Sequence, residues 1–142
     1  MSTVFEIGIT EKNNQEIERK ETIEVIASKG IIGDRYFHDF NGDREQITLI
    51  ESENIDYYNK NFNTNFNYLD FRRNIVTKDI ELNSLIGKTI RVGKIKLKVN
   101  DLCRPCKTLQ NRLGQSNIIK EFLKRGGLRC EILTSGFINV GD

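Results

Sequence analysis

The stretch KTIRVGKIKLKVN, residues 88–100, decides the fold. It is rich in β-branched residues, and Gly93-Lys94 stands where a tight turn would divide RVGKIKLKV into the arms of a hairpin. The same character extends outward to FRRNIVT at 71–77 and CEILTSGFINVGD at 130–142. Near the start, VFEIGI at 4–9 and ETIEVIA at 21–27 alternate apolar and polar residues around the polar KNNQEIERK, which predicts two strands joined by an exposed turn. KGIIGDRYFHDFNGDREQ at 29–46 reads as a long loop, because Gly30, Gly33 and Gly42 break any period. ITLIESENIDYYNKNF at 47–62 opens as a buried strand and passes into a helix, with Glu51 to Asn54 as capping-type residues. The asparagine-rich NFNTNFNYLD that follows is turn material. A second helix spans SNIIKEFLKRGG at 116–127, with Ile118, Phe122 and Leu123 or Ile119 on one face and Gly126 and Gly127 at its end. The expected class is mainly β with minor α, a closed or partly open barrel-like sheet with two or three short helices.

The 142 residues suit one domain, 1–142, without repeats, linkers or low-complexity tracts. Apolar residues make up 37% without glycine, and about 45% with the 11 Gly, the low end of the ordinary globular range. Lys plus Arg total 22 against 20 Asp plus Glu, and a net charge of +2 gives no field that argues for nucleic acid or a membrane surface. MSTVFEIGIT lacks the regions of a signal peptide, and no window reaches the roughly 20 apolar residues of a membrane span, so a cytoplasmic protein is expected. Three cysteines, Cys103, Cys106 and Cys130, are then expected as thiols.

The sharpest motif is CRPCKTL at 103–109, two thiols spaced C-x-x-C around Arg104 and the single proline, with Lys107 directly after. Neighbouring cations favour thiolate, the form that acts as nucleophile and soft-metal ligand. Redox chemistry, sulfur carriage and metal ligation all remain open. Cys103, Cys106, Cys130 and His38 could make a Cys3His zinc site, although no second ligand knuckle is present. A thioredoxin-like motif would need a βαβ unit, and the flanks here read as strand then loop. Cysteines buried for packing alone are the default for Cys130. A second constellation gathers Asp34, Arg35, Arg44 and Gln46 with FRRNI at 71–75, arginines beside glycines, which suit phosphate or carboxylate. Asp34 pairing with an Arg at the surface is the plain alternative. In RGGLRCEIL at 125–133, Arg125 reads as a charge at a helix end, whereas Arg129 enters an apolar strand.

Taken in order, GIIGDR at 30–35, REQITLIESE at 44–53, FRRNIVT at 71–77, LNSLIGKTIRVGKIKLKV at 82–99, CRPCKTL at 103–109, RGGLR at 125–129 and the closing INVGD resemble the MOSC domain. That module forms the C-terminus of molybdenum-cofactor sulfurases and occurs in the mitochondrial amidoxime reducing component. The resemblance covers nearly the whole chain and implies a β-barrel-like MOSC fold centred on Cys106, the cysteine followed by Lys-Thr-Leu. In the family this cysteine either ligates molybdenum in the pterin cofactor or carries sulfur as a persulfide. By the same resemblance Arg72 and Asn74 are its partners, with Asp34, Arg35 and Arg129 lining one cleft. Cys103 would be a resolving thiol or a mere neighbour. Gln110 stands where many small relatives carry Glu. The match is to the bare module, so pyridoxal phosphate would enter only through a separate desulfurase.

The resemblance implies an oxidoreductase component that reduces a small N-hydroxylated substrate with electrons from an electron-transfer protein. The alternative is a sulfur carrier loaded by a cysteine desulfurase, and a third reading is a module that binds an anionic ligand without turnover.

Overall fold

The computed structural model describes residues 2–12, 16–37 and 46–142. His38, Gly42 and Arg44 lie outside the described residues. In chain order the elements are β1 (Thr3–Ile9), β2 (Glu18–Lys20), β3 (Thr22–Ile26), β4 (Gly30–Ile31), β5 (Ile47–Glu51), α1 (Ser52–Phe62), β6 (Ile75–Lys78), β7 (Thr89–Val92), β8 (Ile95–Leu102), α2 (Lys107–Leu113), α3 (Ile118–Glu121), β9 (Leu128–Ile132) and β10 (Gly136–Asn139). Two 3-10 turns, Tyr68–Phe71 and Leu82–Leu85, stand before β6 and β7. Seven strands form a curled, partly open half-barrel in the order β2-β1-β6-β5-β9-β8-β7, and β10-β3-β4 form a second sheet. Among the described residues no helix is long and apolar enough to cross a membrane.

The 88–100 hairpin is present as β7 and β8, paired Val92↔Ile95 to Thr89↔Lys98. Gly93, at φ +60, makes the turn. Along β8, Ile95, Leu97 and Val99 are buried and Lys96 is exposed. They meet Ile7, Ile31, Leu49, Ile75, Cys130 and Ile138 in the core shared by the inner faces of both sheets. β5 and β6 feed two cores. Leu49 and Ile75 face the first, whereas Ile50 and Val76 face a second, built with Ile55, Tyr58, Phe71, Leu109, Ile118 and Phe122 from the helices and the 3-10 turn. Burial on both faces explains why three of the four residues of ITLI are apolar.

Four local expectations are corrected. VFEIGI and ETIEVIA are not hairpin partners: β1 pairs with β2 and β6, while β3 leaves for the second sheet beside β10 and β4. Within the expected 29–46 loop, Gly30–Ile31 forms strand β4. The helix expected over 116–127 is one turn, Ile118–Glu121, with Phe122 in the core and Leu123 46% exposed. CRPC leads not into a loop but into α2, closed by Gly114 in the left-handed region. That helix joins β8 to β9, which are antiparallel, so it is not the crossover of a βαβ unit.

Candidate functional site

Parallel pairing of β5 with β6 (Leu49↔Ile75) sets Asn74, the residue before β6, beside Thr48. Asn74 is 1% exposed. Its Oδ1 accepts from the Thr48 backbone N–H and from Thr48 Oγ1, both at 3.1 Å. Its Nδ2 donates to the Gly8 carbonyl at 3.1 Å and to Asp34 Oδ1 at 3.4 Å. An amide side chain offers two acceptor positions and two donors, so all are used within the protein. Asp34, also buried, accepts from the Thr10 N–H at 3.1 Å and from the Tyr36 N–H at 3.3 Å. Burial pushes its carboxyl above the usual 3.8, against those two amides, the Arg35 charge and Asn74. Asn74 and Asp34 thus tie β1, β5, β6 and the segment after β4 into one buried knot. Gln46 belongs to the same kind of scaffold, because its buried Oε1 accepts from the Ile132 N–H at 2.8 Å.

The polar row continues across the sheet. Thr48 lies opposite Arg129 on β9, and Arg129 opposite Asp101 on β8, just past a register shift. Arg129 grips Asp101 bidentately, Nε to Oδ1 at 3.0 Å and Nη2 to Oδ2 at 2.6 Å. Both side chains are about one-third exposed, so the pair stands at the rim of the sheet.

Three arginines gather on another side of the knot. Arg72 takes the left-handed conformation, φ +63, after the 3-10 turn. Burial, and then the charges of Arg112 and Arg35, hold its guanidinium below the usual arginine value, with Tyr36 and Asp34 opposing. The guanidinium of Arg35 lies over the Tyr36 ring at 4.5 Å, and its buried Nη1 finds no hydrogen-bond partner among the described residues. A buried donor without an acceptor is costly, and like charges brought together add to that cost. An anion would relieve both.

Cys106 is exposed and is the residue that starts α2, whereas Cys103 and Cys130 are buried. Cys130 points into the inter-sheet core, where burial first, and then Cys103 and Asp101, push its thiol up to about 12. It is a packing residue. Among the described residues no three His, Cys, Asp or Glu side chains are grouped to hold a metal ion, which leaves the Cys3His reading without support there.

The loop carrying Cys103 and Cys106 is pinned by a residue that the motif reading passed over. Arg73 Nε donates to the Gly126 carbonyl at 2.8 Å, Nη2 to the Cys103 carbonyl at 3.2 Å, and Nη1 to the Phe71 carbonyl at 3.3 Å. Cys103 N–H donates to the Gly127 carbonyl at 2.7 Å. Gly126 and Gly127 therefore do not end a helix. A Cβ on Gly126 would stand 2.5 Å from the Cys103 carbonyl oxygen, and one on Gly127, at φ +99, would stand 1.8 Å from the Leu49 carbonyl oxygen. Close backbone approach requires both glycines. Arg112 and helix α2 were also missed. Their signal was present in KTLQNRLG, with Leu109 and Leu113 four apart and a terminal Gly. Gln110 fastens α2 to α3 by accepting from the Ile119 N–H at 3.0 Å.

The sequence profile of the MOSC domain matches residues 37–142. No curated protein sequence matches the chain. Among solved structures it resembles YuaD from Bacillus subtilis at 16% identity and a TM-score of 0.84, covering 100% of this chain and 93% of that one. It also resembles YiiM from Geobacillus stearothermophilus at 14% identity and 0.80, covering 99% and 72%. For YiiM from Escherichia coli the values are 18% and 0.72, covering 97% and 64%. Likenesses at such identities speak for the fold.

Proposed function

This chain belongs to the MOSC domain family, and from that premise we propose that it binds a molybdenum-pterin cofactor through the Cys106 thiolate and serves an oxidoreductase that reduces N-hydroxylated compounds. The observation that carries the reading is the buried, unpartnered Nη1 of Arg35 beside Asp34, with the charges of Arg35 and Arg112 both felt at Arg72. Desolvated guanidinium groups suit a phosphorylated ligand, and the exposed thiol of Cys106 is a soft donor. The residues therefore fit such a group. Arg35 and Arg72 would hold its anionic end and Cys106 its metal. Asp34 and Asn74, occupied within the knot, would set the position of Arg35 and Arg72 rather than offer new bonds. The pair Arg129–Asp101 would border the site. When bound, the cofactor would supply oxygen-atom and electron-transfer chemistry, and the protein placement and charge. Reducing an N-hydroxyl group consumes two electrons and two protons and releases water, so an electron-transfer protein is the implied partner.

Metal analysis of protein purified from cofactor-competent cells tests this. Molybdenum near one per chain is expected, lost in Cys106→Ser and reduced in Arg35→Gln. Stoichiometric molybdenum that survives Cys106→Ser sinks the ligand assignment.

The exposure of Cys106 beside two buried thiols also favours sulfur carriage, since a desulfurase must reach its acceptor. Mass spectrometry after incubation with a cysteine desulfurase, its pyridoxal phosphate and cysteine would then show added sulfur at Cys106, and an unmodified Cys106 excludes it.

A further inference from the structure

From Cys103 to Cys106 the chain makes no turn or bend. Arg104 precedes the single proline, a position that disfavours helical backbone, and the ring of Pro105 fixes its own φ. Cys106 is itself extended. Burial alternates accordingly: Cys103 and Pro105 are buried, Arg104 and Cys106 exposed. The two thiols therefore face opposite sides of an extended segment. Three residues at about 3.1 Å each set their Cα atoms about 9 Å apart, whereas a disulfide needs less than about 7 Å.

Hydrogen bonds fix that geometry at its buried end. Cys103 N–H donates to the Gly127 carbonyl at 2.7 Å, and the Cys103 carbonyl accepts from Arg73 Nη2 at 3.2 Å. Arg73 Nε reaches the Gly126 carbonyl at 2.8 Å and Nη1 the Phe71 carbonyl at 3.3 Å, so one half-buried guanidinium ties three segments together. Pro105 packs at the same place, where a Cβ on Gly126 would stand 3.3 Å from its Cδ. These bonds must break before Cys103 can turn outward to Cys106. Arg73 is the side chain among them that can be changed without altering the segment itself.

We infer that Arg73 is a positioning residue that keeps Cys103 away from Cys106, so that Cys106 works as a single thiol and the C-x-x-C pair is not a redox couple. Cys103 is then a neighbour and not a resolving thiol. A metal or persulfide on Cys106 is protected from attack by the nearest thiol in the chain, and sulfur carried there leaves only to an outside acceptor. Neither molybdenum nor a desulfurase is needed for this, only the accessible Cys106.

Treatment with hydroxyethyl disulfide tests it. The Cys106 thiolate attacks one sulfur of the reagent, forming a mixed disulfide and expelling one mercaptoethanol thiolate. Where Cys103 can reach, its thiolate attacks the Cys106 sulfur, expels the second mercaptoethanol and leaves an internal disulfide. Mass spectrometry separates the two products, a gain of one mercaptoethanol unit against a loss of two hydrogens. In the parent the mixed disulfide at Cys106 should persist. In Arg73→Gln it should be lost at least about tenfold faster, as the internal disulfide grows. Cys130, buried in the inter-sheet core, reports on the fold, because only unfolding opens it to the reagent. Should Arg73→Gln open it, Arg73→Lys, which keeps the charge and loses the fork, takes its place under the same criteria. An internal disulfide in the parent overturns the inference, and so does a mixed disulfide that persists in a folded Arg73 variant. Molybdenum and persulfide content enter neither outcome, so the proposed function stands or falls separately.

Discussion

Where β1, β5 and β6 meet, Asn74 is 1% exposed and spends all its hydrogen-bonding capacity on Thr48, Gly8 and Asp34. At the start of α2, Cys106 is exposed and makes no side-chain capping bond. Both come from short polar motifs that suggested a ligand site. One motif holds the fold together, and the other leaves a thiol accessible. A polar residue in a loop motif therefore becomes a ligand candidate only once its internal partners are counted.

The hardest test of the scaffold side is Gly127→Ala. A methyl group driven into the Leu49 carbonyl at a left-handed φ should cost about 4 kcal/mol or abolish folding, measured by chemical denaturation. A loss under about 1 kcal/mol would mean that β5 and β9 tolerate being pushed apart. Asn74→Ala comes next, at about 3 kcal/mol, because the Thr48 N–H and Gly8 carbonyl would be left buried without partners. A near-neutral Asn74→Ala would show that these bonds do not hold the strands together.

Asp34 gives a smaller, pH-dependent effect. Its folded pKa lies above the unfolded value, so the native state holds the proton more tightly. The stability this confers is complete below about pH 3.8 and is lost as pH rises through the folded value. Asp34→Asn removes this dependence. The stability of the parent minus that of the variant should therefore fall as pH is raised from roughly 4 to 7, and a flat difference would contradict the burial argument. Smallest of all, Cys106→Ser should change stability by no more than about 0.5 kcal/mol while removing the proposed metal or sulfur binding. A larger loss would place Cys106 with Asn74 on the structural side.

The alternation of Ile95, Leu97 and Val99 and the turn at Gly93 were legible because hairpin pairing is local. The helix after β5 was legible for the same reason, and the structure shows that Ile55 and Tyr58, one turn apart, are its buried face. The partner of ETIEVIA was not, since β3 pairs with β10 from the far end of the chain. Nor was the role of the Gly126-Gly127 pair, which after an apolar stretch reads as a helix stop, yet is set by carbonyls of Cys103 and Leu49.

At the site, composition and motif order by themselves determined a mainly β chain of the MOSC kind and singled out Cys106 as the candidate centre, which the structure shows to be exposed. Only the tertiary structure decided that Asn74 is saturated, that Arg129 is held by Asp101, that Arg73 pins the cysteine loop, and that Arg112 joins Arg35 and Arg72. A residue's type and its neighbours along the chain fix what it can bond. Which partners it spends those bonds on depends on the strand pairing that brings distant segments within hydrogen-bond reach.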